Sequence, residues 1–336
     1  MKVYSLEAIG KLSQKDQECP KPREGWAVVE VKAVGVCSSD IPRIFTKGTY
    51  HFPTIPGHEF SGVVRTCSDK QWINKRVSVF PLIPCKTCEQ CKQKNYQMCS
   101  NYDYIGSRRD GAFAEFVEVP VWNLLEMPDK ISFEEMAMME PLSVAYHAVQ
   151  QADVKAGDKV AVIGTGMIGL ATAQWALEKK ADVTVIGRGT SKKGLVEKIH
   201  GLKYLQEKTK NEYNVVIEAV GSIESICDSL EICRPGGKIV MMGNPEGDIV
   251  LPQKDYWKIL RKELKIIGTW NSMFDGVNKS DWTQVRDALE HRKIQADILI
   301  THKFTSDKLY DALNIMKEHK EPYCKVMVLW RKDYEE

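Results

Sequence analysis

Lys159-Val160-Ala161-Val162-Ile163-Gly164-Thr165-Gly166-Met167-Ile168-Gly169 decides the fold. A run that reads as a buried strand leads into Gly164-x-Gly166-x-x-Gly169, and a helix-type stretch follows as far as Lys179. Such a glycine triplet is weak evidence alone and gains meaning between a strand and a helix. The first glycine makes the turn, the second lets a pyrophosphate approach, and the third packs helix on strand. Gly164, Gly166, Met167, Ile168 and Gly169 are therefore candidate dinucleotide-binding residues; a plain glycine turn is the competing reading.

Outward from this loop, residues 182–186 read as a second strand, and 214–219, 237–242 and 264–268 as later ones. Strands alternating with helices predict an α/β fold with a doubly wound parallel sheet. The first 140 residues are different. Residues 26–34, 62–64, 76–80 and 112–119 are β-branched or alternating runs punctuated by Gly and Pro, which predicts a small barrel-like β domain. The rhythm changes after Glu140-Pro141, and beyond about residue 280 come helices and one late strand, 324–329.

Composition narrows the function. A chain of 336 residues holds about two domains. With 43% apolar and 27% charged residues it has the make-up of a folded globular protein, not a disordered one. A formal net charge of +2 argues against bulk nucleic-acid binding. No apolar run reaches about 18 residues, which excludes a membrane span, and residues 1–18 turn polar too early for a signal peptide. A cytoplasmic protein is expected.

Four of the ten cysteines crowd together as Cys85-x2-Cys88-x2-Cys91-x7-Cys99. Four thiolates at this spacing close a tetrahedral shell around zinc, and a closed shell is structural. Lys86, Lys92 and Lys94 offset part of the thiolate charge. An iron–sulfur cluster or a chance grouping of free thiols are the alternatives. A second, open set comes from Cys37, His58 and Glu59, which offer sulfur, nitrogen and oxygen ligands. Three protein ligands plus water is the pattern of catalytic zinc, and the dinucleotide loop gives this sparse set its weight. Glu140 is a further ligand, direct or through water, or else a helix-capping acid. Asp40 either orients His58 through its second ring nitrogen or caps the helix that holds Ile44 and Phe45. Ser39 is placed to relay a proton to solvent. Cys37, Ser39, His58, Glu59 and Glu140 are thus the candidate catalytic residues.

Cofactor choice turns on the end of the second strand. NAD-binding folds place an acid there for the ribose 2′-hydroxyl; this chain has Gly187, followed by Arg188 and Ser191-Lys192-Lys193. No carboxylate repels a 2′-phosphate, and Arg188, Ser191 and Lys192 suit one, so NADP is expected over NAD.

Cys37-x-Ser39-Asp40, Gly57-His58-Glu59, the four-cysteine lobe, Glu140-Pro141 and Gly164 to Gly169 together resemble the zinc-dependent medium-chain dehydrogenase/reductase superfamily over nearly the whole chain. His58-Glu59 with Glu140-Pro141-Leu142-Ser143-Val144 looks like its polyol dehydrogenase branch. Residues 39–45, 102–111 and 259–264 are similar to the galactitol-1-phosphate 5-dehydrogenase group. The chain departs from that group at Gly187-Arg188, where those enzymes usually carry an Asp. The resemblance implies a GroES-like β-rich catalytic domain over 1–143, with a structural zinc lobe at about 84–100. It implies a Rossmann domain over 144–275 and a return to the catalytic domain over 276–336, with a cleft between the two. It also implies two zinc ions per subunit and a homodimer or homotetramer.

The function expected is interconversion of a secondary alcohol of an alditol or alditol phosphate with the ketose, by hydride transfer to or from NAD(P). A plain sorbitol- or xylitol-type dehydrogenase and an NADPH-dependent aldehyde or alcohol reductase are the alternatives. An inactive nucleotide-binding regulator is the remote one, disfavoured because Cys37, His58 and Glu59 are all present. Arg43, Arg108, Arg109 and Asn271 are the candidate substrate residues, since arginines near the zinc suit a sugar phosphate.

Overall fold

The computed structural model describes residues 1–330 apart from Pro22 and residues 277–279. Two compact units are present. The first comprises Met1–Glu140, Met273–His291 and Ile300–Glu336, and the second Pro141–Ser272 and Arg292–Leu299. Thus 292–299, expected with the C-terminal part of the catalytic domain, packs with the second unit. Residues 331–336 of that expected segment lie outside the described residues.

In the first unit the strands are β1 (Lys2–Ala8), β2 (Lys11–Asp16), β3 (Trp26–Val36), β4 (Glu59–Cys67), β5 (Arg76–Val79), β6 (Leu82–Ile83), β7 (Asp103–Tyr104), β8 (Phe116–Pro120) and β9 (Leu124–Glu126). The second unit holds β10 (Lys159–Ile163), β11 (Asp182–Ile186), β12 (Lys203–Leu205), β13 (Tyr213–Glu218), β14 (Cys233–Met241) and β15 (Lys265–Gly268). The chain then returns to the first unit with β16 (Ile300–Thr305) and β17 (Lys325–Leu329).

The main sheet of the first unit runs β16-β17-β3-β4-β5-β9, with β8 also on β3. Its core is formed by Val29, Val31, Val34 and Val36 of β3, Val326 and Val328 of β17, and Leu309, Leu313 and Met316 of helix Leu309–Glu318. Each such side chain contributes about 1.5–3 kcal/mol on burial. The structure differs from the sequence expectation in several strands, the short β6, β7 and β9 among them. The 280–330 region has two strands: β16 is an edge strand with no fully buried residue, so its apolar alternation is faint. The hairpin of β1 and β2 and the three-residue edge strand β12 also went unread. Residues 112–115 precede β8 without joining it, because Ala112 and Phe113 donate to Gly57 O and Pro56 O.

The second unit is the doubly wound half. All its pairings are parallel and the strand order is β12-β11-β10-β13-β14-β15. The order reverses between β10 and β13, so the C-terminal ends of these strands border the crevice where such sheets take ligands. Gly164 follows β10 at that point. Helix Ile223–Ile232 flanks the sheet, and Lys262 closes its C-terminus: Nζ donates to Leu230 O, Glu231 O and Cys233 O at 2.7, 2.9 and 3.0 Å. A charge-assisted cap of this kind contributes about 1.5–3 kcal/mol. Lys262→Met is expected to destabilise the protein by about that amount, seen as a lower urea midpoint, while Lys262→Arg retains most of the stability.

Candidate metal centre and dinucleotide loop

Strand register builds the first site. β3 and β4 pair antiparallel with Gly35 opposite Glu59, which brings the residues beyond their ends together. Cys37 follows β3, His58 precedes β4, and Glu59 is the first residue of β4. One ligand atom from each of Cys37, His58 and Glu59 lies within 4.8 Å of the others. Buried Asp40 holds the frame: Oδ2 accepts from Cys37 N–H at 2.9 Å, and Oδ1 stands 3.4 Å from His58 Nδ1. The N-cap of helix Asp40–Phe45 is Ser39, and the Asp40 carboxylate faces Cys37 N–H and His58 Nδ1, where an orienting acid would stand. Burial disfavours a charged His58, but Asp40 and Cys37 outweigh it and hold the imidazole well above its ordinary pKa.

Two carboxylates border this set. Glu59 Oε2 forms a buried ion pair with Lys325 Nζ, which also donates to Val36 O at 3.3 Å. Glu140 lies outside the mutual 4.8 Å group. Its Oε1 accepts from Tyr104 Oη at 3.2 Å, and burial, opposed by His58, pushes its carboxyl up to about 7. Ser39 Oγ donates to Cys37 Sγ at 3.2 Å and accepts from Arg43 Nη1 at 2.8 Å. A thiol, an imidazole and buried carboxylates thus share one site with a single buried lysine. His58 Nδ1 and Asp40 Oδ1 also lack well-formed hydrogen bonds. That donor set fits a divalent cation on the other ring nitrogen, with Asp40 behind it.

The other candidate arginines are committed elsewhere. Arg108 lies between the rings of Tyr50 and Tyr102, 4.3 and 4.2 Å from their centroids, and donates to Tyr102 O. Arg109 pairs with Asp103 at 2.7 Å. Of the three arginines, Arg43 is the one bonded into the Cys37 cluster. Asn271 stands in the second unit, where Oδ1 accepts from Ser272 N–H at 2.9 Å.

The four cysteines form a separate group, with all four sulfurs within 4.8 Å of one another. The N–H groups of Cys91 and Ser100 draw the Cys88 thiol down to about 5, and burial pushes Cys91 up to about 12. Cys85 N–H donates to Cys99 Sγ and Cys88 N–H to Cys85 Sγ. Backbone amides aimed at sulfur stabilise thiolates, the form that ligates metal.

In the second unit the three loop glycines have three different surroundings. A Cβ on Gly164 would press on Val220, with φ at +121°; one on Gly169 would meet Gly164 O at 2.3 Å; one on Gly166 would meet nothing within 4 Å. The turn, the close helix packing and the open approach for an anion are all accounted for. Gly166 is the N-cap of helix Met167–Glu178.

The comparisons agree with this geometry. Residues 23–129 match the alcohol dehydrogenase GroES-like domain and residues 167–291 the zinc-binding dehydrogenase domain. Galactitol 1-phosphate 5-dehydrogenase of Escherichia coli (strain K12) is 31% identical over 312 residues, covering 88% of this chain and 90% of that one. The crystal structure of galactitol-1-phosphate dehydrogenase from Escherichia coli superposes with a TM-score of 0.90 at 29% identity, covering 98% and 100% of the chains. A zinc-binding dehydrogenase from Sinorhizobium meliloti 1021 bound to NADP gives a TM-score of 0.88 at 27% identity, covering 98% of each chain. The chain belongs to the zinc-dependent medium-chain dehydrogenase family. It is an oxidoreductase built from a GroES-like and a Rossmann domain.

This dehydrogenase carries three residues near its candidate sites that sequence reasoning passed over. Lys325 and Tyr104 contact the two carboxylates; Lys325 belongs to no motif, and Tyr104 lies in the 102–111 stretch without being singled out there. Tyr204 stands beside Gly187: a Cβ there would lie 2.5 Å from Tyr204 Oη, which itself donates to Gly189 O. Arg188 and Ser191 are exposed and Lys192 half-buried just beyond. The Lys325–Glu59 pair is directly testable, since removing one partner of a buried pair costs about 3–5 kcal/mol. Lys325→Met is expected to lose about that much stability in chelator-treated protein, and Lys325→Met/Glu59→Gln to recover most of it, read by urea denaturation. Wild-type stability in the single variant would show that the pair contributes nothing net to the fold.

Proposed function

We propose that this dehydrogenase oxidises a secondary alcohol of an alditol or alditol phosphate to the ketose, reversibly, with NADP(H) as the hydride partner. The observation that carries the reading is the convergence of Cys37, His58 and Glu59 beside Arg43, in a chain that also bears the dinucleotide loop. Zinc would supply the Lewis acidity that makes a secondary hydroxyl acidic near neutral pH, and the nicotinamide would accept the hydride. Cys37, His58 and Glu59 would hold that zinc in this reading, Glu140 would reach it only through water from outside their group, and Asp40 fixes the imidazole. Ser39 Oγ would accept the hydroxyl proton as it releases its own toward solvent, which requires its hydroxyl to turn from Cys37 Sγ. A second zinc sits in the Cys85, Cys88, Cys91 and Cys99 shell and is structural. The pyrophosphate lies against Gly166, Met167 and Ile168 at the helix N-terminus.

Arg43 supports a phosphorylated substrate. A charge-assisted contact to phosphate is stronger than a neutral hydrogen bond, and Arg108 and Arg109 are already engaged by tyrosine rings and Asp103. An oligomer of identical chains is supported by the free edge strand β15 with exposed Ile266, and by exposed Tyr256, Trp257, Leu260 and Trp270 nearby in sequence.

Turnover on paired polyols and polyol phosphates tests the substrate class. Phosphorylated substrates should be favoured in kcat/KM by about 10–100-fold, the equivalent of one charge-assisted hydrogen bond. Arg43→Leu should remove most of that advantage. Equal efficiency on sorbitol and its phosphate would leave a plain polyol dehydrogenase.

Cofactor choice gives a second test. Wild type should use NADP more efficiently than NAD, and Arg188→Ile should lower the NADP efficiency about 10–100-fold. Because Tyr204 fills the space beside Gly187, Gly187→Asp/Arg188→Ile should lose NADP without gaining NAD. Adding Tyr204→Ala should reverse the preference. A wild type that favours NAD would overturn the NADP reading.

A further inference from the structure

Tyr104 is fixed from several sides. Its strand β7 pairs with β6, with Tyr104 opposite Leu82. Its carbonyl accepts from the N–H groups of Ser107, Arg108 and Arg109 at 3.3, 2.9 and 3.1 Å, and its own N–H donates to Asp103 Oδ1 at 2.8 Å. The ring stands edge-on to His58 at 5.8 Å and to Tyr102 at 6.2 Å. A phenol held this firmly has little freedom, and its hydroxyl is spent on Glu140 Oε1. Glu140 is 8% exposed and stands in the first turn of its helix. Neighbouring Glu59, by contrast, is drawn to Lys325 yet still belongs to the ligand group with Cys37 and His58.

The two carboxylates are therefore tethered differently. Glu59 has a charged partner and Glu140 a neutral one. A buried carboxylate beside a divalent cation closes on it unless another donor holds it back. Among the described residues, the Tyr104 hydroxyl donates to Glu140 Oε1.

We propose that Tyr104 is a positioning residue: its hydroxyl holds Glu140 outside the Cys37, His58 and Glu59 ligand set, and so leaves a coordination position for the substrate hydroxyl. The inference rests on the reading of those three residues as a zinc site. Tyr104→Phe deletes one oxygen and keeps the ring against His58, so the fold is preserved.

The experiment uses the full chain loaded with Zn²⁺ or Co²⁺. Cobalt absorption is recorded as a difference against His58→Asn, which keeps the four-cysteine site. Zinc loss to a chelator and steady-state kinetics are measured in parallel. In Tyr104→Phe, Glu140 should join the metal. The cobalt d–d bands should shift, zinc should leave about tenfold more slowly and kcat should fall about tenfold, the scale of changes behind metal ligands. Tyr104→Phe/Glu140→Gln should return the spectrum and the release rate to wild-type values. An unchanged spectrum and release rate in Tyr104→Phe, or faster release, would overturn the inference. Failure of the zinc-site reading itself would show in the wild type, as one bound metal equivalent where two are expected.

Discussion

Backbone meets backbone where Pro56-Gly57 passes the loop between β7 and β8. A Cβ on Gly106 would stand 2.5 Å from Gly57 O, and one on Gly111 2.2 Å from the same oxygen. A Cβ on Gly57 would strike Phe113 N at 2.9 Å. The contact is sealed by Gly111 N–H to Ile55 O, Ala112 N–H to Gly57 O, and Ile55 N–H to Asp110 Oδ1. His58 leaves this junction on one side and Tyr104 enters it on the other, which is how a ligand and a phenol far apart in sequence come to face each other. Any side chain in the junction would push the two loops apart and move both.

The two candidate metal-binding groups are built in opposite ways. The four-cysteine shell is local: its ligands lie within one short segment, and its thiolates are stabilised by amides of that same segment. The Cys37 group is global. Its geometry depends on the β3–β4 register, on the glycine junction, and on a lysine from β17. Local sites are the ones a sequence announces by spacing; global ones are assembled by topology.

That difference explains what the sequence discloses. Gly164 to Gly169 and the four cysteines carry their meaning in their spacing, because each is confined to one turn or loop. Most central strands were legible through apolar runs. Two edge strands were not: β16 alternates exposed and half-buried residues, and β12 is three residues long. Lys325, Tyr104 and Tyr204 were invisible for another reason. Each acts through a contact with a residue distant in sequence, and even the resemblance over 102–111 does not single out Tyr104 within its stretch. Arg43, Arg108 and Arg109 looked alike on paper; only the rings of Tyr50 and Tyr102, and the Asp103 carboxylate, distinguish them.

Lys325 also fixes an order of assembly. The second unit is nearly continuous, needing only 292–299 after residue 272, including Gln295, whose N–H and carbonyl bond the Gln174 side chain. The first unit begins at β1 and closes at β17, which pairs with β3 across most of the chain. Until residue 325 leaves the ribosome, Glu59 lacks its counter-charge and the C-terminal half of β3, though paired with β4, lacks its β17 neighbour. Nascent domains usually fold from the N-terminus onward, yet here the later-made nucleotide unit is complete first. The half-built β unit must wait with an open strand edge, and that interval is when the growing chain is most exposed to aggregation.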